Sequence, residues 1–238
     1  MMLKQLPNFF TLINLSLGFF SILLASMGGL TQGAILILVA SVFDFLDGFL
    51  AKKLNASSEL GKQLDSLADM VTFGVSPAIL VYFLLASLPQ IISPYSNYIV
   101  VLIPIFSALR LAKFNIDENQ TNNFIGLPTP ANALFFVSIV LFLENSEPLL
   151  SKEVTYKALL FLILVFSYLL TSKVSFFSLK FTDFNWKKNQ LRYVFLGLSL
   201  ILLFWSFFLN IQVLTLSIII LLYIVLSLLN NIKIKNEI

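Results

Sequence analysis

The stretch DFLDGFLAKKLNASSELGKQLDSLAD, residues 44–69, sets Asp44, Asp47, Asp65 and Asp69 into or beside two long apolar runs. Asp and Glu together number only 12 in 238 residues, so this grouping demands a chemical reason. A carboxylate near the centre of a membrane helix costs about 2.5–3.5 kcal/mol, and less toward the interface. Four that converge also repel one another. Bound cations remove both penalties, and carboxylate oxygens are hard ligands suited to Mg²⁺, Mn²⁺ or Ca²⁺. Four negative charges balance two divalent ions, and a pair of ions a few ångströms apart is a recurring arrangement for phosphoryl transfer.

Convergence follows from helical spacing. Asp44 and Asp47 are i,i+3, and Ala51 extends the same stripe; Gly61, Asp65 and Asp69 are i,i+4,i+8 and again share one face. With Lys53 at the end of one helix, a rise of about 1.5 Å per residue puts Asp47 roughly 9 Å and Asp44 roughly 13 Å inward. A following helix that starts near Gly61 carries Asp65 to roughly 5 Å and Asp69 to roughly 10 Å. The two pairs therefore share a depth on neighbouring antiparallel helices. Gly48, Ala51 and Gly61 leave room for a ligand or a close backbone, and Lys52 is placed to meet a phosphate as well as to anchor the helix end.

The elements that must hold these residues are membrane helices. Hydrophobic residues make up 58% of the chain and charged residues 11%, with a mean hydropathy of +0.94. A soluble domain carries about 25% charged residues. The apolar runs 9–29, 32–51, 66–87, 95–113, 127–144, 155–171, 193–210 and 212–230 predict an all-α, polytopic bundle of about eight transmembrane helices, a single membrane domain over residues 1–238. GGLTQ and the region around Asn210 predict helical hairpins, and the first run is expected to be a retained helix. Cysteine and histidine are both absent, which excludes disulfides, thiolate metal sites and His- or Cys-based nucleophilic catalysis.

Thirteen of the fifteen basic residues fall on one side of this topology, leaving Lys152 and Lys157 opposite. The positive-inside bias then predicts both termini, and the four-aspartate edge, in the cytoplasm. The basic loop from Lys173 to Arg192 is expected to meet anionic headgroups, with Trp186 and Tyr193 as interfacial anchors. GLPTP, with Pro128 and Pro130, predicts a helix start or a re-entrant shoulder of the site.

As spacing, the segment reads D-x2-D-G-x2-A-K-x8-G-x3-D-x3-D. It resembles the signature of the CDP-alcohol phosphatidyltransferases, with Lys52 where that family usually has arginine, which keeps the charge but loses the bidentate fork. LDSLADMVTFGVSPAIL, SALRLAKFN, FIGLPTPANA and NFFTLINLSLGF are similar to the branch of that family that uses L-serine, over roughly residues 5–140. The resemblance implies that residues 32–115 carry the active-site segment. It implies that Asp44, Asp47, Asp65 and Asp69 hold two divalent ions, Mg²⁺ or Mn²⁺, with Asp69 also the general base. Gly48, Ala51, Lys52 and Gly61 would then bind the CDP group.

By the same resemblance, the phosphatidyl group of CDP-diacylglycerol passes to the serine hydroxyl, giving phosphatidylserine and CMP, in a homodimer with a six-helix core per protomer. A zwitterionic acceptor needs a cation for its carboxylate, and Arg110 and Lys113 stand at the correct end of the fourth run. The expected partners are the two substrates, the lipid bilayer and a second copy of the chain, with no nucleic acid, in a bacterial cytoplasmic membrane. Two alternatives stand beside this: glycerol 3-phosphate as acceptor, and an ion-coupled transporter, since intramembrane carboxylates also mark ion pathways.

Overall fold

A computed structural model describes residues 5–89, 92–116, 123–146, 149–178, 186–209 and 211–236. It is a helical bundle built from α1 (Leu6–Ser26), α2 (Leu30–Lys53), α3 (Glu59–Asp69), α4 (Ser76–Ser87), α5 (Leu102–Ile116), α6 (Thr129–Asn145), α7 (Lys152–Thr171), α8 (Trp186–Leu209) and α9 (Thr215–Asn236). Among the described residues, seven helical stretches are long and apolar enough to cross a membrane, and the shorter α6 makes an eighth apolar helix. Helices satisfy their own backbone hydrogen bonds, the requirement lipid imposes on any spanning segment. Lys4, Lys180 and Asn210, used above for topology, lie outside the described residues.

The first hairpin turns at Gly28, whose φ of +87° is in the region that favours glycine, and α1 and α2 pack along their length. The third span is longer than its apolar run. It begins at Glu59 rather than near Gly61, because the Ser58 side chain caps it by accepting from the Gly61 N–H at 3.0 Å. It runs through α3, a π-helical turn over Met70–Val75 and α4.

That turn is fastened to α1. The Thr72 hydroxyl donates to the Asn14 carbonyl at 3.0 Å, and the Ser76 hydroxyl to the Gly18 carbonyl at 2.5 Å. A Cβ at Gly18 would collide with the Thr72 side chain and lie 2.8 Å from its Cα. Small residues allow this approach, which supplies packing where lipid gives no hydrophobic drive. Thr11, Asn14, Gly18, Ser21 and Ala25 form the buried stripe of α1.

The core lies deeper in the bundle, where Phe73, Phe135, Phe136, Tyr156 and Phe166 are fully buried and the Phe135 and Phe166 rings stack at 3.8 Å. A short antiparallel ladder, β1 (Asn123–Ile125) with β2 (Ser175–Phe177), interrupts the helical architecture. Here one expectation is revised in part and another is met. Residues 175–177 are not a headgroup-facing loop: Phe176 and Phe177 are buried, Tyr223 donates to the Phe177 carbonyl at 2.9 Å, and the Asn231 amide bonds both backbone groups of Ser175 at 3.2 and 2.6 Å. GLPTP starts α6 by an ordinary proline-bearing N-terminus at Thr129, but an extended strand feeds it. Gly126, with φ of +80°, joins the two where its Cα approaches the Leu170 carbonyl too closely for any side chain. Arg192 Nε bonds the Ser178 carbonyl at 2.7 Å. Trp186 is exposed and stacks on Tyr193 at 5.0 Å. α8 packs chiefly on α9 and exposes a run of large apolar side chains from Leu200 to Leu209.

Candidate active site

Asp44 and Asp47 on α2 meet Asp65 on α3, and one oxygen from each lies within 4.8 Å of the others. Asp69 stands one turn beyond Asp65, buried beside Asp44, with its Oδ1 lacking a hydrogen-bond partner. The periodicity of each helix put the pairs on one face; the Leu54–Ser58 connection brings those faces together. Among the described residues, no lysine or arginine nitrogen comes within 4.0 Å of the four carboxylates. An all-oxygen donor set with no direct ion pair to a protein cation fits a hard divalent ion, so the residues present suit the metal that the chemistry calls for.

Beside the cluster, α1, α2 and the start of α3 enclose an open cavity of about 600 Å³. Asp47 and Asp65 form one wall, and Gly48, Ala51, Lys52 and Gly61 all line it. The glycines serve in different ways. A Cβ at Gly48 would meet nothing within 4 Å and would only intrude on the cavity. A Cβ at Gly61 would come within 3.0 Å of Asn8 Oδ1, so Gly61 lets α1 and α3 close at that end. Lys52 is exposed on the cavity rim, where its ammonium can reach an anionic ligand.

Asn8 and Thr11 of α1 are among the lining residues that the sequence reading missed. Thr11 is buried and donates to Asp47 Oδ2 at 2.6 Å. The only available signal was the polar spacing of Asn8, Thr11 and Asn14 in an apolar run. Groups that orient a ligating carboxylate tune affinity by 10- to 100-fold. Thr11→Val, which preserves shape and removes the donor, is expected to raise the divalent-ion concentration for half-maximal activity about tenfold. A metal titration of the two proteins under saturating substrate checks this.

Arg110 and Lys113 part company. Arg110 is 8% exposed; its Nη1 donates to Thr129 Oγ1 at 3.0 Å, and its guanidinium lies 5.8 Å from the Phe114 ring centroid. It lies close to the Asp69 carboxyl group and to the Tyr223 hydroxyl. Lys113 is exposed and lines neither this cavity nor the cluster around Arg110. Asn115 instead braces the site, donating from Nδ2 to Ser66 Oγ at 2.9 Å and accepting on its carbonyl from Lys62 Nζ at 2.8 Å.

The arrangement is a carboxylate cluster at the wall of a polar cavity, with a buried guanidinium on the far side of the innermost carboxylate. It can bind a diphosphate through cations and leave Asp69 to handle a proton. A model of the CDP-alcohol phosphatidyltransferase family matches residues 4–205. The CDP-diacylglycerol–serine O-phosphatidyltransferase of Helicobacter pylori (strain ATCC 700392 / 26695) is 34% identical over 194 residues, 81% of this chain and 80% of that protein. A protein of the same name from Bacillus subtilis (strain 168) is 32% identical over 177 residues, 73% and 90% of the two chains. An archaetidylserine synthase from Methanothermobacter thermautotrophicus is 40% identical over 139 residues, 57% and 58% of the two.

Proposed function

Because the chain belongs to the CDP-alcohol phosphatidyltransferase family, we propose that it transfers the phosphatidyl group of CDP-diacylglycerol to the hydroxyl of L-serine, giving phosphatidylserine and CMP. The observation that carries this is the meeting of Asp44, Asp47 and Asp65 at a cavity lined by the other residues of the signature. The serine-transferring names of the similar proteins support the acceptor.

Two divalent cations, Mg²⁺ or Mn²⁺, bound by the four aspartates would neutralise the diphosphate and the departing CMP. The chain's own residues do the rest. Gly48 and Ala51 leave the cavity wall low for the CDP head, Gly61 closes its end against α1, and Lys52 meets a phosphate at the rim. Thr11 fixes the orientation of Asp47. Asp69 takes the proton from the serine hydroxyl as its oxygen attacks the phosphorus that bears diacylglycerol. The bond from that phosphorus to CMP breaks, and CMP leaves with the electron pair. Arg110 holds the serine carboxylate by charge-assisted hydrogen bonds, while Lys113 acts as an anchor at the membrane surface.

Lys52 and Lys62 line the cavity, and Lys53 and Lys113 stand in the last turns of α2 and α5; this basic bias supports a site and both termini that face the cytoplasm of a bacterial cell membrane. The working unit is a homodimer, which size measurement in nanodiscs tests.

The direct test is CMP release by the purified protein from CDP-diacylglycerol with Mg²⁺ or Mn²⁺, comparing L-serine with glycerol 3-phosphate. Serine-dependent release that EDTA abolishes is the expected result. Release with glycerol 3-phosphate alone would overturn the acceptor and leave the family in place.

A further inference from the structure

We propose that Asn132 selects an amino-acid acceptor by taking its α-ammonium group on the side-chain amide, while Arg110 takes the carboxylate. This rests on serine being the acceptor. Asn132 is fully buried, and neither its Oδ1 nor its Nδ2 has a hydrogen-bond partner. An amide left bare in an apolar interior is expensive, which is why such groups are ordinarily satisfied by protein, water or ligand. Nearby, Arg110 Nε is also buried and unpartnered.

The two are brought together by α6. Asn132 follows Thr129 by three residues, and Thr129 Oγ1 is the group to which Arg110 donates. Residues at i,i+3 are neighbours on a helix, with Cβ atoms about 5–6 Å apart. Helical side chains lean toward the N-terminus, which directs Asn132 toward the turn that carries Thr129. Both α5 and α6 pack against the π turn that follows Asp69, so the elements that carry the base, the guanidinium and the amide meet at that turn.

Their chemistries divide a zwitterion. Arg110 has donors only and cannot receive an ammonium. Asp69 can, but in that role it is lost as the base for the hydroxyl. Asn132 Oδ1 is a buried acceptor left without a partner, and its Nδ2 can add a bond to the carboxylate. Hydroxyl at Asp69, carboxylate at Arg110 and ammonium at Asn132 make three points, enough to distinguish L from D.

The test compares L-serine with L-glycerate, which replaces the ammonium by a hydroxyl, in the purified full-length protein with Mn²⁺ and CDP-diacylglycerol. For Asn132→Leu, nearly isosteric and without polar atoms, kcat/KM for L-serine should fall about 10- to 100-fold, as for loss of a hydrogen bond to a charged group. The KM for CDP-diacylglycerol should stay within about twofold, and the preference for serine over glycerate should shrink by the same factor as the serine loss. Asn132→Asp, which keeps an oxygen for the ammonium, should retain that preference. The ratio does not depend on the fraction of folded protein, so partial misfolding leaves the readout intact, and Asn132→Ala gives the same reading if the leucine variant cannot be purified. An unchanged ratio in an active protein would overturn this inference alone, leaving Asn132 to packing or buried water. A wild type without serine-dependent CMP release would overturn the acceptor and this inference together.

Discussion

Asp69→Asn is expected to lower kcat about 10³-fold, in the middle of the range for removing a general base. The substitution is informative because it changes little else. Asparagine fills the same space, and its amide can donate to the neighbouring Asp44. It also lowers the charge of a cluster that repels itself. Asp44, Asp47 and Asp65 still present their oxygens within 4.8 Å of one another, so CDP-diacylglycerol should still bind. The check is single-turnover CMP release beside equilibrium binding of CDP-diacylglycerol. A variant that binds normally and fails to release CMP assigns Asp69 to the chemical step; one that loses binding instead makes it chiefly a metal ligand. Near-normal release would remove it from both roles.

For Arg110→Lys, the KM for L-serine should rise about 10- to 100-fold with the KM for CDP-diacylglycerol unchanged, as expected for loss of bonds between a charged donor fork and a carboxylate. Lysine is the useful replacement because deleting the charge confounds the result. Arg110 is 8% exposed and its charge acts on Asp69. Removing one member of a buried charged group leaves the other uncompensated, at a cost of about 3–5 kcal/mol. Lysine keeps the charge but cannot hold Thr129 Oγ1 and a carboxylate in one plane, the geometry that the 3.0 Å bond to Thr129 prepares. Steady-state kinetics in both substrates checks the split. An equal rise in both KM values would place Arg110 in the fold rather than in the acceptor pocket.

What was legible in the sequence is what helical periodicity controls. The faces of Asp44 with Asp47 and of Asp65 with Asp69 follow from spacing, and the short link between helices made their meeting the expected outcome. The apolar runs likewise located the spans, with error concentrated at the ends: the third span starts earlier because a side-chain cap at Ser58 extends the helix into polar residues. Contacts between distant segments had no such code. Thr11 is 36 positions from the carboxylate to which it donates. Tyr223 reaches the neighbourhood of Arg110 from α9, beyond the segment matched by the family model. Strands of three residues are too short to show alternation, so β1 and β2 looked like the ends of loops. The Arg110 and Thr129 pairing joins two helices across a connection that the sequence leaves open.

The π turn at Met70–Val75 bears on how the third span can vary. An α-helix advances about 100° per residue, and a π turn takes in one residue more than the regular ladder allows. The stretch before it is phased by Asp65 and Asp69 toward α2, and the stretch after it by Ser76 toward the Gly18 carbonyl on α1. The extra residue lets each half keep its own angular phase, so the turn works as a slip joint between ligand chemistry and bilayer packing. Straightening it to a regular helix would turn one half by about 100° relative to the other, and either the carboxylates or the α1 clasp would face the wrong way. Within the turn, chain length is therefore constrained more tightly than side-chain identity.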